Sequence, residues 1–288
     1  MGSNRIGIVG LGLIGGSLGL DLQNLGHEVY GLVNRAETAS RAKERGLAQF
    51  ISTDPSIIAD CSIIILALPL PQLLNPKQDI IDALPQHAII TDVGSVKTPV
   101  VEVWRKIHPR FIGSHPMAGT IHTGVEAGET NLFKGRPWVS TPDKNTDKNA
   151  LQVIQGLATD LGSTWITTNP KLHDQAVALI SHLPVFVSAS LMQTVTAEPD
   201  ETLVHLTEAL ASSGFADTTR VGCGNPSLGV AMASLNTSYL LEALQTYRLS
   251  IDKFEKLIRS KQWDKLQEEL QKNQLSRAGF LEKKTLSS

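Results

Sequence analysis

The pattern of hydrophobic and polar positions changes once along the chain, near residue 170. Before that point, short runs of β-branched and other apolar residues alternate with stretches of helical periodicity, which is typical of a parallel sheet with crossover helices. After it, the strand patterns stop and apolar residues recur at helical spacing. The pattern therefore predicts an α/β domain over residues 1–168, followed by an all-α domain over residues 169–288.

Individual elements follow from the same periodicities. Strands are predicted at residues 6–9, 29–33, 62–67, 89–92, 111–114, 138–141 and 164–167. Helices of the first domain are predicted at residues 14–25, 35–45, 100–106 and 150–161. Helices of the second domain are predicted at residues 173–195, 201–212, 227–258 and 263–270. Pro184 should kink the first of these, because proline lacks an N–H group and clashes with the preceding turn.

Composition narrows the class of protein. The length of 288 residues suits two domains, and 41% hydrophobic with 19% charged residues is typical of globular chains. A net charge of −2 predicts no binding to nucleic acid or anionic membranes. We expect no membrane helix, since no apolar run approaches roughly 20 residues, and we expect no metal site. With two cysteines and no signal-peptide pattern, the chain is expected to be cytoplasmic, or organellar after removal of a transit peptide.

Residues 10–15 carry the pattern Gly-x-Gly-x-x-Gly between a predicted strand and a predicted helix. Gly10 permits the tight turn, Gly12 lets the backbone approach a pyrophosphate, and Gly15 lets the helix pack on the strand. The helix N-terminus adds amide donors and a partial positive charge. A glycine-rich turn without a ligand is the alternative. The residues expected at this dinucleotide site are Gly10, Gly12, Leu13, Ile14, Gly15 and Ser17, whose hydroxyl is close enough to help hold phosphate.

The end of the second predicted strand indicates which dinucleotide is bound. NAD enzymes normally place Asp or Glu there to accept a hydrogen bond from the ribose 2′-hydroxyl. This chain has Asn34 and Arg35 instead. A carboxylate would repel a 2′-phosphate, whereas a guanidinium offers it a charged fork of donors. We therefore predict NADP as the cofactor, with an exposed first-turn arginine as the alternative interpretation of Arg35.

Three further segments place polar residues among glycines or small residues. They are Asp-Val-Gly-Ser-Val-Lys at residues 92–97, Gly-Ser-His-Pro-Met-Ala-Gly at 113–119 and Phe-Ala-Asp-Thr-Thr-Arg at 215–220. The first two follow predicted strands of one sheet. Because ligands of open α/β sheets bind beyond the carboxyl ends of the strands, we expect both segments to face the cofactor.

Together with the glycine fingerprint and Ser-His-Leu-Pro at residues 181–184, these segments resemble the prephenate/arogenate dehydrogenase (TyrA) family of tyrosine biosynthesis. The resemblance covers nearly the whole chain. It implies a Rossmann-type nucleotide-binding domain followed by an all-α dimerisation domain, and hence a homodimer. It also implies an oxidative decarboxylation, in which hydride passes to nicotinamide, carbon dioxide leaves and a cyclohexadienol ring becomes aromatic.

That reaction needs a base, an orienting group and a cation. His115 suits the base because imidazole titrates near neutral pH. Ser95 is the candidate for orienting the substrate hydroxyl or the base, and Arg220 can grip a substrate carboxylate bidentately. By resemblance alone, Thr120 and Gly124 lie near the substrate.

Each assignment has a structural alternative. His115 could be a hydrogen-bonded histidine at a strand end, Ser95 could cap the following helix, and Arg220 could pair with Asp217. For His182, a packed helix histidine and a substrate contact are equally supported. The adjacent His and Asp at residues 173–174 are interpreted as a helix start with a solvated face.

Two departures from the family pattern concern the substrate. Many members have a second His after Ser-His-Leu-Pro, where this chain has Val185, and many have Trp where this chain has Gly229. Loss of a histidine donor disfavours the ketone side chain of prephenate, so we predict arogenate as the substrate. Prephenate, or both acids, is the alternative.

Two other classes share part of the pattern. Dehydrogenases of the 6-phosphogluconate or 3-hydroxyacid type have a similar two-domain plan but usually use a catalytic lysine of the helical domain, and no lysine there lies in an apolar setting before Lys253. An NADP-sensing interaction protein would need neither a base nor a carboxylate clamp. The polar segments favour the dehydrogenase.

Overall fold

The computed structural model describes residues 4–120 and 122–285. Its contacts divide the chain into two compact units, Met1–Asn236 and Thr237–Ser288. The first unit contains all the strands of the described chain together with its first eleven α-helices. The second unit contains the last two helices.

A six-stranded sheet forms the centre of the first unit. Its strands are β1 (Arg5–Val9), β2 (Glu28–Leu32), β3 (Phe50–Ser52), β4 (Ile63–Leu66), β5 (Ile89–Asp92) and β6 (Phe111–Ile112). The spatial order is β3-β2-β1-β4-β5-β6 and every pairing is parallel. The order reverses between β1 and β4, which places a ligand crevice beyond the carboxyl ends of these two strands.

A smaller sheet follows, made of β7 (Ser114–Pro116), β8 (Pro137–Ser140) and β9 (Thr164–Thr167). The predicted strand 111–114 is therefore two strands in two sheets, divided at Gly113. A Cβ atom on Gly113 would lie 2.6 Å from Val101 Cγ2 and 2.9 Å from Thr141 Oγ1, so the chain crosses where no side chain fits. This crossing carries the segment with His115 away from the central sheet.

Helices cover both faces of the central sheet. They are α1 (Leu13–Asn24), α2 (Ala36–Glu44), α3 (Leu70–Leu74), α4 (Gln78–Asp82), α5 (Thr98–Ile107) and α6 (Lys148–Asp160). One core cluster contains Ile8, Leu22 and Ile154, and a second contains Ile64 and Trp104. Because the strands are buried on both faces, they are continuous apolar runs without alternation.

The rest of the described chain is helical. Its helices are α7 (Pro170–Val177), α8 (Leu183–Thr196), α9 (Glu201–Leu210), α10 (Ser213–Thr219), α11 (Pro226–Leu235), α12 (Thr237–Arg259) and α13 (Trp263–Thr285). A π-helical turn, Ala178–His182, joins α7 to α8, and a 3₁₀ turn, Arg220–Cys223, follows α10. The predicted order of domains, an α/β nucleotide-binding domain followed by a helical domain, is confirmed.

Two predicted helices are interrupted. The kink expected at Pro184 takes the form of the π-helical turn, which ends two residues earlier and leaves Pro184 in the first turn of α8, where its missing N–H costs little. The single helix predicted at 227–258 is two helices. Asn236 leaves the helical conformation at the end of α11, and its side chain donates to the carbonyl oxygen of Asp174.

The structure contains one helical segment that is longer and more apolar than the sequence analysis expected. The continuous helical segment Pro170–Thr196 has 27 residues, and its most apolar stretch of 18 residues has a mean hydropathy of 1.5, so length and composition alone would allow it to cross a membrane. The segment is the only one of this kind among the described residues. Core helices of soluble proteins pass the same test, and the polar residues His173, Asp174 and His182 of this segment are buried.

The second unit is a pair of packed helices. Lys253 of α12 forms an ion pair with Glu269 of α13. Large apolar side chains remain exposed on both helices, among them Leu241, Leu249 and Phe280. Apolar surface of this kind is typical of protein–protein contacts.

Candidate active site

One large cleft of the first unit contains most of the predicted site residues. Its volume is about 1210 Å³, above the range of roughly 300–1,000 Å³ for a single small ligand. The cleft can therefore hold a dinucleotide together with a small substrate. The predicted residues that line it are Gly10, Gly12, Leu13, Ile14, Gly15, Asn34, Arg35, Ser95, His115, Thr120, Gly124 and Arg220.

The glycine loop has the geometry of a dinucleotide cradle. Gly10 has φ of +96°, and a Cβ atom there would lie 2.4 Å from the carbonyl oxygen of Ala67. A Cβ atom on Gly15 would lie 1.9 Å from the carbonyl oxygen of Gly10. A Cβ atom on Gly12 meets nothing within 4 Å. Gly10 and Gly15 are thus required by the fold, whereas Gly12 leaves space where a pyrophosphate would approach the start of α1.

Ser17 does not belong to this cradle, contrary to the expectation. Its side chain is fully buried and does not line the cleft. Its hydroxyl donates to the carbonyl oxygen of Leu13 at 2.6 Å and accepts from the backbone N–H of Glu129 at 2.9 Å. Ser17 therefore links α1 to the backbone at Glu129. Its single hydroxyl proton is already donated to Leu13 and is not available to a phosphate.

The end of β2 opens into the same cleft. Asn34 and Arg35 are both exposed there, and Thr38 lines the cleft beside them. Within the described residues, the guanidinium of Arg35 has no carboxylate partner. A charged donor fork is therefore available at the place where a ribose would lie.

His115, on β7, is the end of a buried chain of three polar groups. Its Nδ1 lies 2.9 Å from Nε2 of His173, and Nδ1 of His173 lies 2.8 Å from Oδ1 of Asp174. Burial lowers the pKa of His115 well below its ordinary value, and the neighbouring His173 and Lys97 add to the effect. His115 is therefore a neutral imidazole at the wall of the cleft, as a base requires.

The expectation for residues 173–174 is wrong. His173 and Asp174 are 3% and 2% exposed, so neither belongs to a solvated helix face. Asp174 accepts hydrogen bonds from the backbone N–H of Lys97 at 2.7 Å and of Thr98 at 2.8 Å. Burial raises the pKa of Asp174, but the hydrogen bonds from His173 and these amides outweigh it, and the pKa is lowered. The sequence signal for this site was a pair of adjacent polar residues in α7.

The segment 92–97 is held by a buried ion pair. Lys97 Nζ contacts the carboxylate of Asp92, and neither side chain is exposed. Lys97 also donates to the carbonyl oxygen of Ser114 at 2.7 Å, and Asp92 accepts from the N–H of Ser114 at 3.1 Å. The pair therefore fixes the loop that carries Ser95 to the strand that carries His115.

Ser95 has a buried hydroxyl without a hydrogen-bond partner among the described residues. It does not cap the following helix, because the residue at the N-cap of α5 is Lys97 and the first amides of that helix are bonded to the carboxylate of Asp174 instead. An unpaired buried hydroxyl costs free energy unless a ligand bonds to it. Its position at the cleft wall thus favours a contact with a bound molecule over a capping role.

Arg220 and the 120 region complete the lining. Arg220 is exposed and forms no ion pair with Asp217 in the described part of the chain. Thr120 Oγ1 accepts from the N–H of His122 at 3.1 Å, and Gly124 has φ of +79° with open space around it. The guanidinium of Arg220 is thus available to a substrate carboxylate.

His182 is buried and does not line the cleft, so its predicted contact with substrate has no support. Its Nδ1 accepts from the side-chain amide of Asn236 at 3.2 Å, and its Nε2 has no partner among the described residues. Burial lowers the pKa of His182 to about 4, so the ring is neutral. Val185, in contrast, lines the cleft. No group of three metal-binding side chains occurs among the described residues.

Comparison with known proteins identifies the family. Residues 18–167 match the family model of the prephenate dehydrogenase nucleotide-binding domain, and residues 169–272 match that of the prephenate dehydrogenase dimerization domain. The chain belongs to the prephenate dehydrogenase family. It is 31% identical over 257 residues to prephenate dehydrogenase of Bacillus subtilis, a match that covers 85% of this chain and 68% of that protein.

Solved structures agree with this assignment. Synechocystis arogenate dehydrogenase is 42% identical, with a TM-score of 0.80 over 96% of this chain and 99% of that one. Prephenate dehydrogenase from Aquifex aeolicus, in complex with hydroxyphenyl propionate and NAD⁺, is 27% identical, with a TM-score of 0.89 over 97% of this chain and 99% of that one. The chain is thus a dehydrogenase of the prephenate/arogenate type with a nicotinamide cofactor, and the sensor and hydroxyacid alternatives are set aside.

Proposed function

We propose that this enzyme catalyses the NADP-dependent oxidative decarboxylation of arogenate to tyrosine. The observation that carries the proposal is the lining of one cleft. The residues lining the space that begins at the glycine loop include His115, a neutral buried imidazole, and Ser95 and Arg220, whose hydroxyl and guanidinium have no partner within the described part of the chain. These are the groups that the reaction needs for a base, an orienting donor and a carboxylate clamp.

Each group has one role in the proposed reaction. His115 takes the proton of the substrate hydroxyl while hydride leaves the ring carbon that bears this hydroxyl. The nicotinamide supplies the hydride acceptor when it is bound. Ser95 orients that hydroxyl. Arg220 holds a carboxylate of the substrate, and Thr120 and Gly124 lie on the same wall. Arg220 positions the substrate without neutralising the departing carboxylate, because strong neutralisation would oppose loss of carbon dioxide.

The choice of NADP rests on the ribose end of the cleft. Arg35 is exposed there without a carboxylate partner in the described chain, and Val33-Asn34-Arg35 offers no acid to a ribose 2′-hydroxyl. A charged hydrogen bond from Arg35 to a 2′-phosphate is worth about 1.5–3 kcal/mol, or roughly ten- to hundredfold in affinity.

Arg35→Ala tests the cofactor proposal. We expect kcat/KM with NADP to fall by about ten- to hundredfold, with kcat/KM for NAD changed by less than about twofold. Arg41→Ala, on the helix that follows Arg35, is the control, because Arg41 pairs with Glu44 and Glu126 and does not line the cleft. Equal use of NAD and NADP by the wild type would refute the proposal.

The choice of arogenate rests on Val185. This side chain lines the cleft, where many family members have a histidine that can donate to prephenate. The two acids differ only in the side chain, which carries a ketone in prephenate and an ammonium group in arogenate. An aliphatic wall removes one donor for the ketone, at a cost to prephenate of about 1–3 kcal/mol.

Assays of both acids with NADP test the substrate. We expect kcat/KM for arogenate to exceed that for prephenate by at least about tenfold. Val185→His should raise kcat/KM for prephenate and narrow the gap. Efficient turnover of prephenate with little turnover of arogenate would refute the choice and support the prephenate alternative, and equal turnover would indicate a broad cyclohexadienyl dehydrogenase.

We also propose that the protein is a cytoplasmic homodimer. In this proposal, residues 1–168 form the dinucleotide-binding domain and residues 169–288 form the helical domain for substrate binding and dimerisation. The exposed apolar side chains of α12 and α13 support the dimer, because covering such a surface in water lowers the free energy of the protein. Sedimentation equilibrium tests the dimer. A monomer at micromolar concentration would contradict it.

A further inference from the structure

The chain of hydrogen bonds behind His115 determines where its protons lie. An ionised carboxylate has only acceptors, so the bond of 2.8 Å between Asp174 Oδ1 and His173 Nδ1 requires the proton to be on that nitrogen. Asp174 is held in its ionised form by two further donors, the backbone N–H groups of Lys97 and Thr98. The tautomer of His173 is thereby fixed.

The tautomer of His173 in turn fixes that of His115. A neutral His173 with its proton on Nδ1 has a lone pair on Nε2, and this lone pair lies 2.9 Å from Nδ1 of His115. His115 must therefore donate through Nδ1, and its own lone pair is on Nε2. We propose that His173 and Asp174 are positioning residues that hold His115 in the tautomer able to accept a proton at Nε2. This inference rests on the proposed dehydrogenase function.

The same chain stabilises His115 after it has acted. When the O–H bond of the substrate breaks, its electron pair forms the carbonyl bond as hydride leaves the ring carbon, and the proton binds to Nε2 of His115. The ring is then a cation whose Nδ1–H donates to His173. His173 in turn donates through Nδ1 to the carboxylate of Asp174, which remains ionised and stabilises the positive charge. A carboxylate behind a histidine base has the same effect in serine hydrolases, where it holds the tautomer and stabilises the imidazolium.

The surroundings of the three groups make this arrangement rigid. Asp174 is bonded to the start of α5, and its own carbonyl oxygen accepts from Asn236 at 2.8 Å. His115 and His173 meet edge to face, with ring centroids 5.2 Å apart and an interplanar angle of 70°. Neither ring can rotate without breaking a buried hydrogen bond, which costs about 1–3 kcal/mol for each unpaired group.

Nitrogen NMR of the histidine rings tests the proposal without reference to activity. In the full-length protein with ¹⁵N-labelled histidine, we expect Nδ1 of His115 to carry the proton and Nε2 to be unprotonated at pH 7.5. The His115→Asn variant assigns the signal. In His173→Phe, the His115 ring should become a mixture of tautomers. A wild-type His115 protonated at Nε2, as a cationic His173 would require, overturns the proposal.

Kinetics provide the second test. We expect His173→Phe to lower kcat by roughly 10²–10⁴, with KM changed by less than about threefold, because the base is in the wrong tautomer for much of the time. His173→Gln places an amide oxygen where Nε2 accepts, and it should recover at least about tenfold of the loss. A purely structural role would affect both variants alike, so equal kcat values for them overturn the proposal.

The controls separate this inference from the proposed function. His205 pairs with Glu208 at 3.4 Å on the surface, so His205→Phe and His205→Gln should leave kcat unchanged. If His173→Phe does not fold, as judged from its Tm, the wild-type NMR signal and His173→Gln still decide. If the wild type oxidises neither acid, the function proposed above fails, whereas the tautomer measured by NMR is unaffected.

Discussion

Lys97 and Asp92 form an ion pair in which neither side chain is exposed to solvent. Burial lowers the pKa of Lys97, and the carboxylate of Asp92 opposes the shift. The carboxylate also accepts hydrogen bonds from the N–H groups of Gly94 and Ser114. The pair is therefore a structural element beneath the site, and neither residue lines the cleft.

Removing one partner of this pair should be strongly destabilising. Lys97→Met leaves an uncompensated carboxylate in the interior, and we expect the free energy of unfolding to fall by about 3–5 kcal/mol. Urea unfolding measures it. Arg5→Met, which breaks the exposed pair with Glu28, is the control and should cost less than about 1 kcal/mol. Similar losses for the two variants would contradict this reasoning.

Alanine substitutions at Gly15 and at Gly12 of the fingerprint should affect different properties, stability in the first case and cofactor binding in the second. Gly15→Ala forces a Cβ atom to 1.9 Å from the backbone of Gly10, and we expect it to lower stability by about 1–3 kcal/mol. Gly12→Ala meets open space, so stability should change by less than about 0.5 kcal/mol. Its methyl group should still weaken cofactor binding by at least about tenfold, as titration calorimetry can measure. Unchanged binding by Gly12→Ala would show that the dinucleotide lies elsewhere.

The pH dependence should reflect the buried base. Acid protonates His115 and abolishes its action, and burial lowers its pKa below the ordinary value of 6.5. We therefore expect kcat/KM to stay level as the pH falls to 6.5 and to decrease only below it. His115→Asn should lose roughly 10²–10⁴ in kcat while cofactor affinity is retained. An acidic limb centred above pH 6.5, or wild-type turnover by the variant, would refute the assignment.

Arg220 should act mainly on substrate affinity. Arg220→Ala removes a charged hydrogen bond to a carboxylate, and we expect KM for the substrate to rise by about ten- to hundredfold, equivalent to about 1.5–3 kcal/mol. The Kd of the cofactor should not change. Arg259→Ala, at an exposed arginine paired with Glu255, is the control. A rise in the cofactor Kd with an unchanged KM would place Arg220 at the dinucleotide.

Most of the α/β framework could be predicted from the sequence because it depends on local patterns. The apolar runs at β1, β4 and β5 were found to within one or two residues, since strands buried on both faces are continuous in apolar residues. The edge strand β3 has only three residues, Phe50–Ser52, and that length is too short for a periodicity to be detected.

The site was predictable where a motif has a local cause. Gly10 and Gly15 are required by contacts with the loop itself and with the end of β4, and His115 comes directly after the apolar run from which a strand was predicted at residues 111–114. The role of Ser17 could not be predicted, because its hydroxyl accepts a hydrogen bond from a backbone group 112 residues later in the chain. The contacts of Asp174 with Lys97 and Thr98 span 77 and 76 residues, and no local pattern encodes them.

The position of Asp174 on α7 has a consequence for the newly made chain. Domains generally fold from the N-terminus during synthesis. The glycine loop and the residues at the ribose end all precede residue 36, so they leave the ribosome long before the helix with Asp174 does. A nascent chain can thus acquire its nucleotide cradle early, but His115 gains its fixed proton arrangement only after α7 has docked. The arrangement that the base needs is therefore not available until α7, at residues 170–177 of the 288, has been made.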